Sequence, residues 1–487
     1  MGRQELHQPL KLLCDKLNSL TEAGSDISIV TRLDTDGIAS GSIIFMALSR
    51  LGSRCSLRTV SSLNPDIIQE IKSEAHDFCM LLGLGSAMTE VLHQYLGENW
   101  VIIDHHEISK GNTNRNYDSQ IINAWKYGFD GSSEISSGGL TYLLASMLDK
   151  KNRDLSAIAV IAALGERQDQ GDEKTLVGMN SEILKTAQSL DLIDVNHDLM
   201  LCGREITPLH ESLARTSFPY IHGLTWNVDN TYSLIKNTGI KMKDNDRWRV
   251  LSDFSPEEKN VIRDAIAKFI ITSSNNSPIE VADGLVGYSY TLTKEDKRSY
   301  LRDAREFANL LNACGRIGKA GVGVALCIGD RNIMLTEAEK IADNYVTNLN
   351  RYISAIFNEK WRYLDDGINA VFVNGEGLLT EGMLGALSSL LAGSPSLFGR
   401  LLIVRTLSQE GEGNSYRFSA RKCVGNKLQL NVGLLMDECS KIVGGSGGGQ
   451  HNAAGCIIPS SKLEVFLSNV RSVISNKKLS ESSPTSS

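Results

Sequence analysis

The chain has 487 residues, 41% hydrophobic and 22% charged. That composition is globular, long enough for two or three cores and incompatible with a wholly disordered chain. Fifty Lys plus Arg stand against 57 Asp plus Glu, a formal net charge of −7, so a basic coat over the whole surface is excluded while a local basic groove is not.

From the N-terminus, MGRQELHQPLKLL lacks a signal-peptide apolar core, Leu6 breaks the myristoylation pattern, and no stretch reaches the apolar length of a membrane span. A soluble, cytoplasmic protein with no membrane contact is expected. Nine scattered cysteines without a Cys-x-x-Cys pair argue against a zinc ribbon and a disulfide framework and for reduced thiols. Residues 27–31 (ISIVT), 78–82 (FCMLL) and 100–103 (WVII) read as buried strands, each followed by a polar or glycine-rich turn. Helical patterns lie between them, and SAIAVIAALG from Ser156 reads as a buried helix. Strands alternating with helices predict a parallel α/β sheet, whose chemistry gathers at the carboxyl ends of the strands.

The texture changes between residues 201 and 283. KNTGIKMKDNDRWRV and FSPEEKNVIRDAIAKFI predict a small, mostly helical insert with a capping start at Ser255. Strand patterns return in INAVFV, RLLIVRTL and YRFSARKC, and a glycine-rich stretch follows at 443–456. The expected fold class is therefore α/β, with a parallel-sheet domain over 1–200 and a helical insert and connecting segment over 201–335. A smaller C-terminal α/β domain over 336–475 and a disordered polar tail over 476–487 complete it. Trp100, Trp125 and Trp226 adjoin apolar runs and are expected in cores. His7, His76, His93, His197, His210 and His222 show no ligand spacing.

Asp34-x-Asp36 follows one strand, Asp104-His105-His106 another, and Glu166 ends the buried helix. Mixed carboxylate and imidazole donors suit Mn2+ or Mg2+ assisting phosphoester hydrolysis, in which two ions clamp the attacking and leaving oxygens. Each piece alone is commonplace; three at successive element ends are a constellation.

VTRLDTDGIAS, VIIDHHE, GFDGSSEISSGGLTY, AALGERQD, REFANLLNACGRIGKAGVGVALCIGD and GGSGGGQHNAAG together resemble the DHH phosphoesterase superfamily. More narrowly they are similar to the archaeal RecJ-like, GINS-associated nuclease group, related to the eukaryotic DHH-fold subunit of the replicative helicase. The resemblance implies a DHH domain, a DHH-associated nucleic-acid domain and a metal centre drawn from Asp34, Asp36, His105 and Glu166. It makes Asp104, His105 and His106 the catalytic motif. It also implies backbone contacts to single-stranded DNA or RNA from Arg316, Ser419, Arg421, Gly448, Gly449, Gln450 and His451. A glycine loop with bare amides and an arginine fork fit phosphate chemically.

The departures from the family pattern carry the functional expectation. Arg32 stands where the first motif has a ligating histidine, and a guanidinium repels a cation. Gly83 stands where the second motif has a bridging aspartate, and Asp77 lies too far back along the strand to replace it. Glu166 is one methylene longer than the usual aspartate, and Gln450 replaces a histidine, with His451 displaced by one position. Arg32 is expected to pair with Asp34 or Asp36, replacing an ion with a fixed charge. One weak Mn2+ or Mg2+ site, or none, would remain. The resemblance then implies a catalytically degenerate scaffold with GINS, the MCM helicase and single-stranded nucleic acid as partners. A metal-dependent single-strand exonuclease and a small-nucleotide phosphodiesterase are the alternatives.

Overall fold

The computed structural model describes residues 2–107, 115–171, 174–216, 221–273, 284–366, 369–408 and 414–481. The chain forms two compact units, one of Met1–Leu213, Tyr232–Ala267 and Ala282–Ala342, the other of Ala214–Thr231, Lys268–Val281 and Asp343–Ser487.

The first unit is built on β1 (Asp26–Arg32), β2 (Arg54–Val60), β3 (Phe78–Leu82), β4 (Trp100–Asp104) and β5 (Ile121–Asn123), ordered β2-β1-β3-β4-β5. Every pairing is parallel. β3 and β4 are buried at every residue, as strands covered on both faces must be. Side chains alternate between two cores. Ile27, Ile29, Phe78, Met80, Val101 and Ile103 face one, shared with Leu6, Leu10, Leu13 and Leu17 of the Gly2–Glu22 helix. Val30, Cys79, Leu81 and Ile102 face the other, with Ile68, Ile71 and Leu92. The period of two sets this division. Register is what positions the site: Thr31 pairs with Leu82 and Leu82 with Ile103, so Arg32, Gly83 and Asp104 come level at the carboxyl edge.

Within the same unit, β6 (Ile193–Leu199) pairs antiparallel with β9 (Val286–Leu292), and β7 (Lys243–Asp244) with β8 (Arg247–Trp248) in a short ribbon. Ser255 starts a helix as expected: its N–H donates to Glu258 Oε2 at 2.8 Å and its hydroxyl accepts from the Glu258 N–H at 3.3 Å, a reciprocal cap. The Ala304–Arg316 helix buries Phe307, Ala308, Leu311, Cys314 and Gly315 on one face.

The second, smaller unit carries β10 (Tyr363–Asp365), β11 (Ala370–Asn374), β12 (Leu401–Ser408), β13 (Ser415–Lys422), β14 (Ser446–Gly449) and β15 (Ala453–Pro459), ordered β10-β11-β12-β13-β15-β14. Only β11 and β12 pair in parallel. One face packs Val371, Val373, Leu402 and Val404 on the Glu381–Ala392 helix. The other packs Phe372, Ile403, Phe418 and Ala420 on Leu435, Met436, Phe466 and Val470. The α/β class, the parallel sheet and the C-terminal sheet domain are those expected.

Three local expectations fail. The glycine-rich stretch is not a free loop, because residues 446–449 form edge strand β14, with Gly447 opposite Cys456. Residues 476–481 continue the Leu463–Glu481 helix rather than beginning a tail; 482–487 lie outside the described residues. Trp100 is core at 1% exposure, but Trp125 and Trp226 are 37% and 40% exposed.

Candidate functional site

β1 delivers Arg32 and the turn that starts the Thr35–Arg50 helix. Asp34 caps that helix: its Oδ1 accepts from the Gly37 N–H at 3.0 Å, the ordinary use of Asp at this position. Its Oδ2 lies 2.7 Å from Arg32 Nε. Both oxygens are thus engaged within the chain, and the expected Arg32–Asp34 pair is present. Burial works against ionisation of Asp34, yet Arg32, the Gly37 amide, Arg316 and His106 together hold it below its ordinary carboxylate value. Arg32 is in turn raised by Asp34, against burial, with Glu166 and Asp104 adding to the effect.

Asp36 lies in the first turn of that helix, 3% exposed. Its Oδ1 accepts from the Gly138 N–H at 2.8 Å, at the start of the Ser137–Leu148 helix, and its Oδ2 is 3.5 Å from His105 Nδ1. Burial raises its pKa, with Glu166 and Asp34 pushing the same way against His105 and the Gly138 amide.

Asp104 organises the next loop. Its Oδ1 accepts from the His105 N–H, the His106 N–H and His106 Nδ1 at 2.8, 3.1 and 2.7 Å, and its Oδ2 from the Ser86 hydroxyl at 2.8 Å. Burial opposes its charge, but these donors, His106 foremost, bring it down to about 2. The His106 carbonyl accepts from Asn123 Nδ2 and the His105 carbonyl from the Trp125 indole, at 3.0 and 2.9 Å. Trp125 therefore braces the motif from a half-exposed position. The His105 Nε2 is 3.8 Å from Glu166 Oε2. Burial alone would lower His105, but Glu166, Asp36 and Asp104 overcome it and lift it to about 9.

The sequence offers Ser136 and Ser137 near the cleft but nothing that assigns them a role. The Ser137 hydroxyl, fully buried, lies 2.8 Å from His105 Nδ1, and such a partner fixes which ring nitrogen faces the cavity. The available signal was the Ser136-Ser137-Gly138-Gly139 run, where small residues let Asp36 reach a helix-end amide.

Gly83 is left-handed at φ +69. A Cβ there would stand 3.3 Å from Ser137 Oγ and 3.9 Å from Arg32 Cδ, so a side chain would point into the centre, beside the guanidinium. Asp77 cannot stand in: its Oδ2 accepts from the Asp26 N–H at 2.8 Å, at the opposite edge of the sheet.

Among the described residues, two overlapping groups of donors that share His105 have the chemistry to hold an ion. Asp36, His105 and Glu166 offer ligand atoms all within 4.8 Å of one another, and so do Asp104, His105 and His106. In the second trio Asp104 Oδ1 is filled by N–H donors. Around Asp34, among the described residues, a guanidinium and a bare glycine offer a second ion neither an imidazole nor a bridging carboxylate.

The Asn312–Arg316 motif is brought to the same loop. Thr35 Oγ1 donates to the Ala308 carbonyl at 2.7 Å, and a Cβ on Gly315 would fall 1.5 Å from the Leu33 carbonyl oxygen. Only glycine permits that approach. Arg316, exposed at the helix end, adds its field to Asp34.

The remaining predicted residues belong to the second unit. Register sets Ser419, Gly455 and Gly448 in one row and Ala420, Ala454 and Gly449 in the next. Arg421 pairs with Ala453. The Gln450 N–H closes the β14–β15 turn on the Ala453 carbonyl at 2.7 Å, and His451 Nε2 is 2.9 Å from Lys422 Nζ. These residues gather at one end of β13, β15 and β14.

Comparison with known proteins accords with this geometry. The DHH-CID domain family matches residues 201–286 and the DHHA1 domain family residues 381–476. An uncharacterized protein of Methanocaldococcus jannaschii is 25% identical over 461 residues, which is 92% of this chain and 93% of that one. CDC45 from Entamoeba histolytica superposes with a TM-score of 0.62 at 15% identity, covering 96% of this chain and 99% of that chain. RecJ from Thermus thermophilus, in complex with Mn2+, gives 0.58 at 14% identity; 96% of this chain is covered, but only 55% of that RecJ. The fold is the DHH fold. Its fold is similar to those of RecJ and CDC45, and two of its segments match the DHH-CID and DHHA1 domain families.

Proposed function

We propose that this chain is a catalytically degenerate RecJ-like protein that binds single-stranded nucleic acid and serves as a scaffold for a cytoplasmic replicative helicase assembly, with GINS and the MCM helicase as partners. The observation that carries the loss of catalysis is the Arg32 Nε–Asp34 Oδ2 contact at 2.7 Å, formed beside a glycine at position 83. In-line phosphoester hydrolysis by two ions needs each cation compensated by anionic ligands and a bridge between them. A fixed guanidinium adds positive charge where the ligands have been removed. Resemblance of the motifs and likeness of fold to CDC45 support the scaffold role. Likeness of fold to RecJ supports single-strand binding, through Arg316 in the first unit and through Ser419, Arg421, Gly448, Gly449, Gln450 and His451 in the second.

A second reading is favoured by the Asp36, His105 and Glu166 trio. A single Mn2+ or Mg2+ held there would polarise a phosphoryl oxygen and supply a slow single-strand exonuclease. The two readings part in one experiment. End-labelled single-stranded DNA and RNA are incubated with Mn2+ or Mg2+ and wild type, Asp36→Ala or Arg32→His/Gly83→Asp. The scaffold reading expects a silent wild type and hydrolysis gained in the double variant. Wild-type cleavage that disappears in Asp36→Ala overturns it.

A further inference from the structure

The DHH-CID segment holds a cluster that the reading above does not use. His210, Tyr232 and Trp248 form an aromatic group: the Tyr232 and Trp248 rings meet edge-on at 6.3 Å, His210 lies 4.7 Å from Trp248 and 5.5 Å from Tyr232. His210 is 7% exposed, its Nδ1 is buried without a hydrogen-bond partner among the described residues, and burial lowers its pKa. Tyr232 is 37% exposed. Lys243 Nζ sits 4.2 Å over the Trp248 ring and Lys236 Nζ 5.9 Å over Tyr232, which holds two ammonium groups at the aromatic surface.

The β7–β8 ribbon adds charge to this group. Between residues 236 and 249 stand Lys236, Lys241, Lys243, Arg247 and Arg249 against Asp244 and Asp246, a local surplus of three positive charges in a chain of net −7. Arg249 is committed to Glu258, at 2.7 Å, and Lys241 shares Asp244 at 3.1 Å. Lys236, Lys241, Lys243 and Arg247 are exposed. Cations interleaved with a half-exposed ring are the pairing that a strand of phosphates and flat bases requires: charge for the backbone, a π face for a base.

We infer that the ribbon and Tyr232 form a second single-strand nucleic-acid contact, apart from the residues of the DHHA1 domain. Lys236, Lys241 and Arg247 meet phosphates, and Tyr232 stacks on a base. This contact rests on the reading that the chain binds single strands at all.

The test is fluorescence anisotropy of labelled oligothymidylate and oligouridylate against the full chain, titrated over a range of salt. The variants are Lys236→Ala/Lys241→Ala/Arg247→Ala, Tyr232→Ala, Tyr232→Phe and, in the other domain, Arg421→Ala. Each single-strand phosphate contact contributes roughly 0.7 to the log–log salt slope, so the triple variant lowers it by ~2. Tyr232→Ala weakens binding about tenfold, on the order of one stacked base, and Tyr232→Phe restores it; rescue by phenylalanine separates stacking from misfolding. An unchanged slope in the triple variant overturns the ribbon contact, and if Arg421→Ala still weakens binding, the single-strand reading survives without it. A wild type that binds neither oligonucleotide overturns both.

Discussion

Removing Arg32 tests the idea that a side chain has taken an ion's place. Two unit charges 2.7 Å apart attract by about 6 kcal/mol at an effective dielectric of 20. Water and desolvation cancel most of that, since the side chains are 44% and 23% exposed. Exposed pairs net ~0.2–1 kcal/mol and breaking a buried pair costs ~3–5, so this half-buried pair, facing Asp104 and Glu166 as well, is set at about 1–3 kcal/mol. Arg32→Ala should therefore lower the melting temperature by roughly 2–8 °C at neutral pH. The sign with pH follows from Asp34. Its folded pKa lies below the ordinary 3.8, so its contribution is complete above that value and is lost as pH falls through the folded pKa. The gap between wild type and variant should then be full at neutral pH and close in acid. Mn2+ should stabilise Arg32→Ala more than wild type, because the variant offers an uncompensated carboxylate. Thermal unfolding by circular dichroism across pH, with and without Mn2+, reads all three. Equal melting temperatures at neutral pH, or equal response to Mn2+, would refute the replacement argument.

Four further outcomes follow from individual residues. Gly315→Ala should destabilise by at least about 3 kcal/mol in urea unfolding, because its Cβ would overlap the Leu33 carbonyl. Gly321→Ala, with nothing within 4 Å, should gain about 0.5–1 kcal/mol as a helical Gly-to-Ala change. Ser137→Ala should reduce Mn2+ affinity ~10–100-fold while the fold persists, measured by calorimetric titration; unchanged affinity would remove Ser137 from the site. In thiol titration, exposed Cys202 should label in the native chain. Cys79, Cys314 and Cys327, whose thiols burial pushes up to about 12, should label only after unfolding.

The site was legible where chemistry coincides with a strand end. Asp34, Asp36 and Asp104-His105-His106 follow apolar runs short enough to be parallel strands, and the register of β1, β3 and β4 makes them neighbours. The Arg32–Asp34 pair was readable for the same reason: a cation two residues before an Asp-x-Asp turn has carboxylates within reach. Ser137 was not readable, because its partner His105 is 32 residues away and a buried hydroxyl leaves no pattern in composition. β2 and β5 escaped notice on different grounds. RCSLRTV places two arginines in an edge strand and IIN is three residues long, so pairing with a neighbour, not local propensity, makes them strands. Residues 446–449 were expected as an open loop since glycine favours one. Hydrogen bonding to β15 and the close passage of the Val432–Ile442 helix, where a Cβ on Gly433 would lie 2.3 Å from the Gly449 carbonyl, fix them as a strand.

The number of Mn2+ ions the chain holds decides whether Arg32 has taken a metal's place. Equilibrium dialysis of the wild type, followed by electron paramagnetic resonance, reports both the number of ions and whether two are coupled. The expected result is at most one weakly held ion per chain, lost in Asp36→Ala, and a second, coupled ion only after Arg32→His/Gly83→Asp. Two coupled ions in the wild type would contradict it, since the guanidinium would then not occupy the place of a metal.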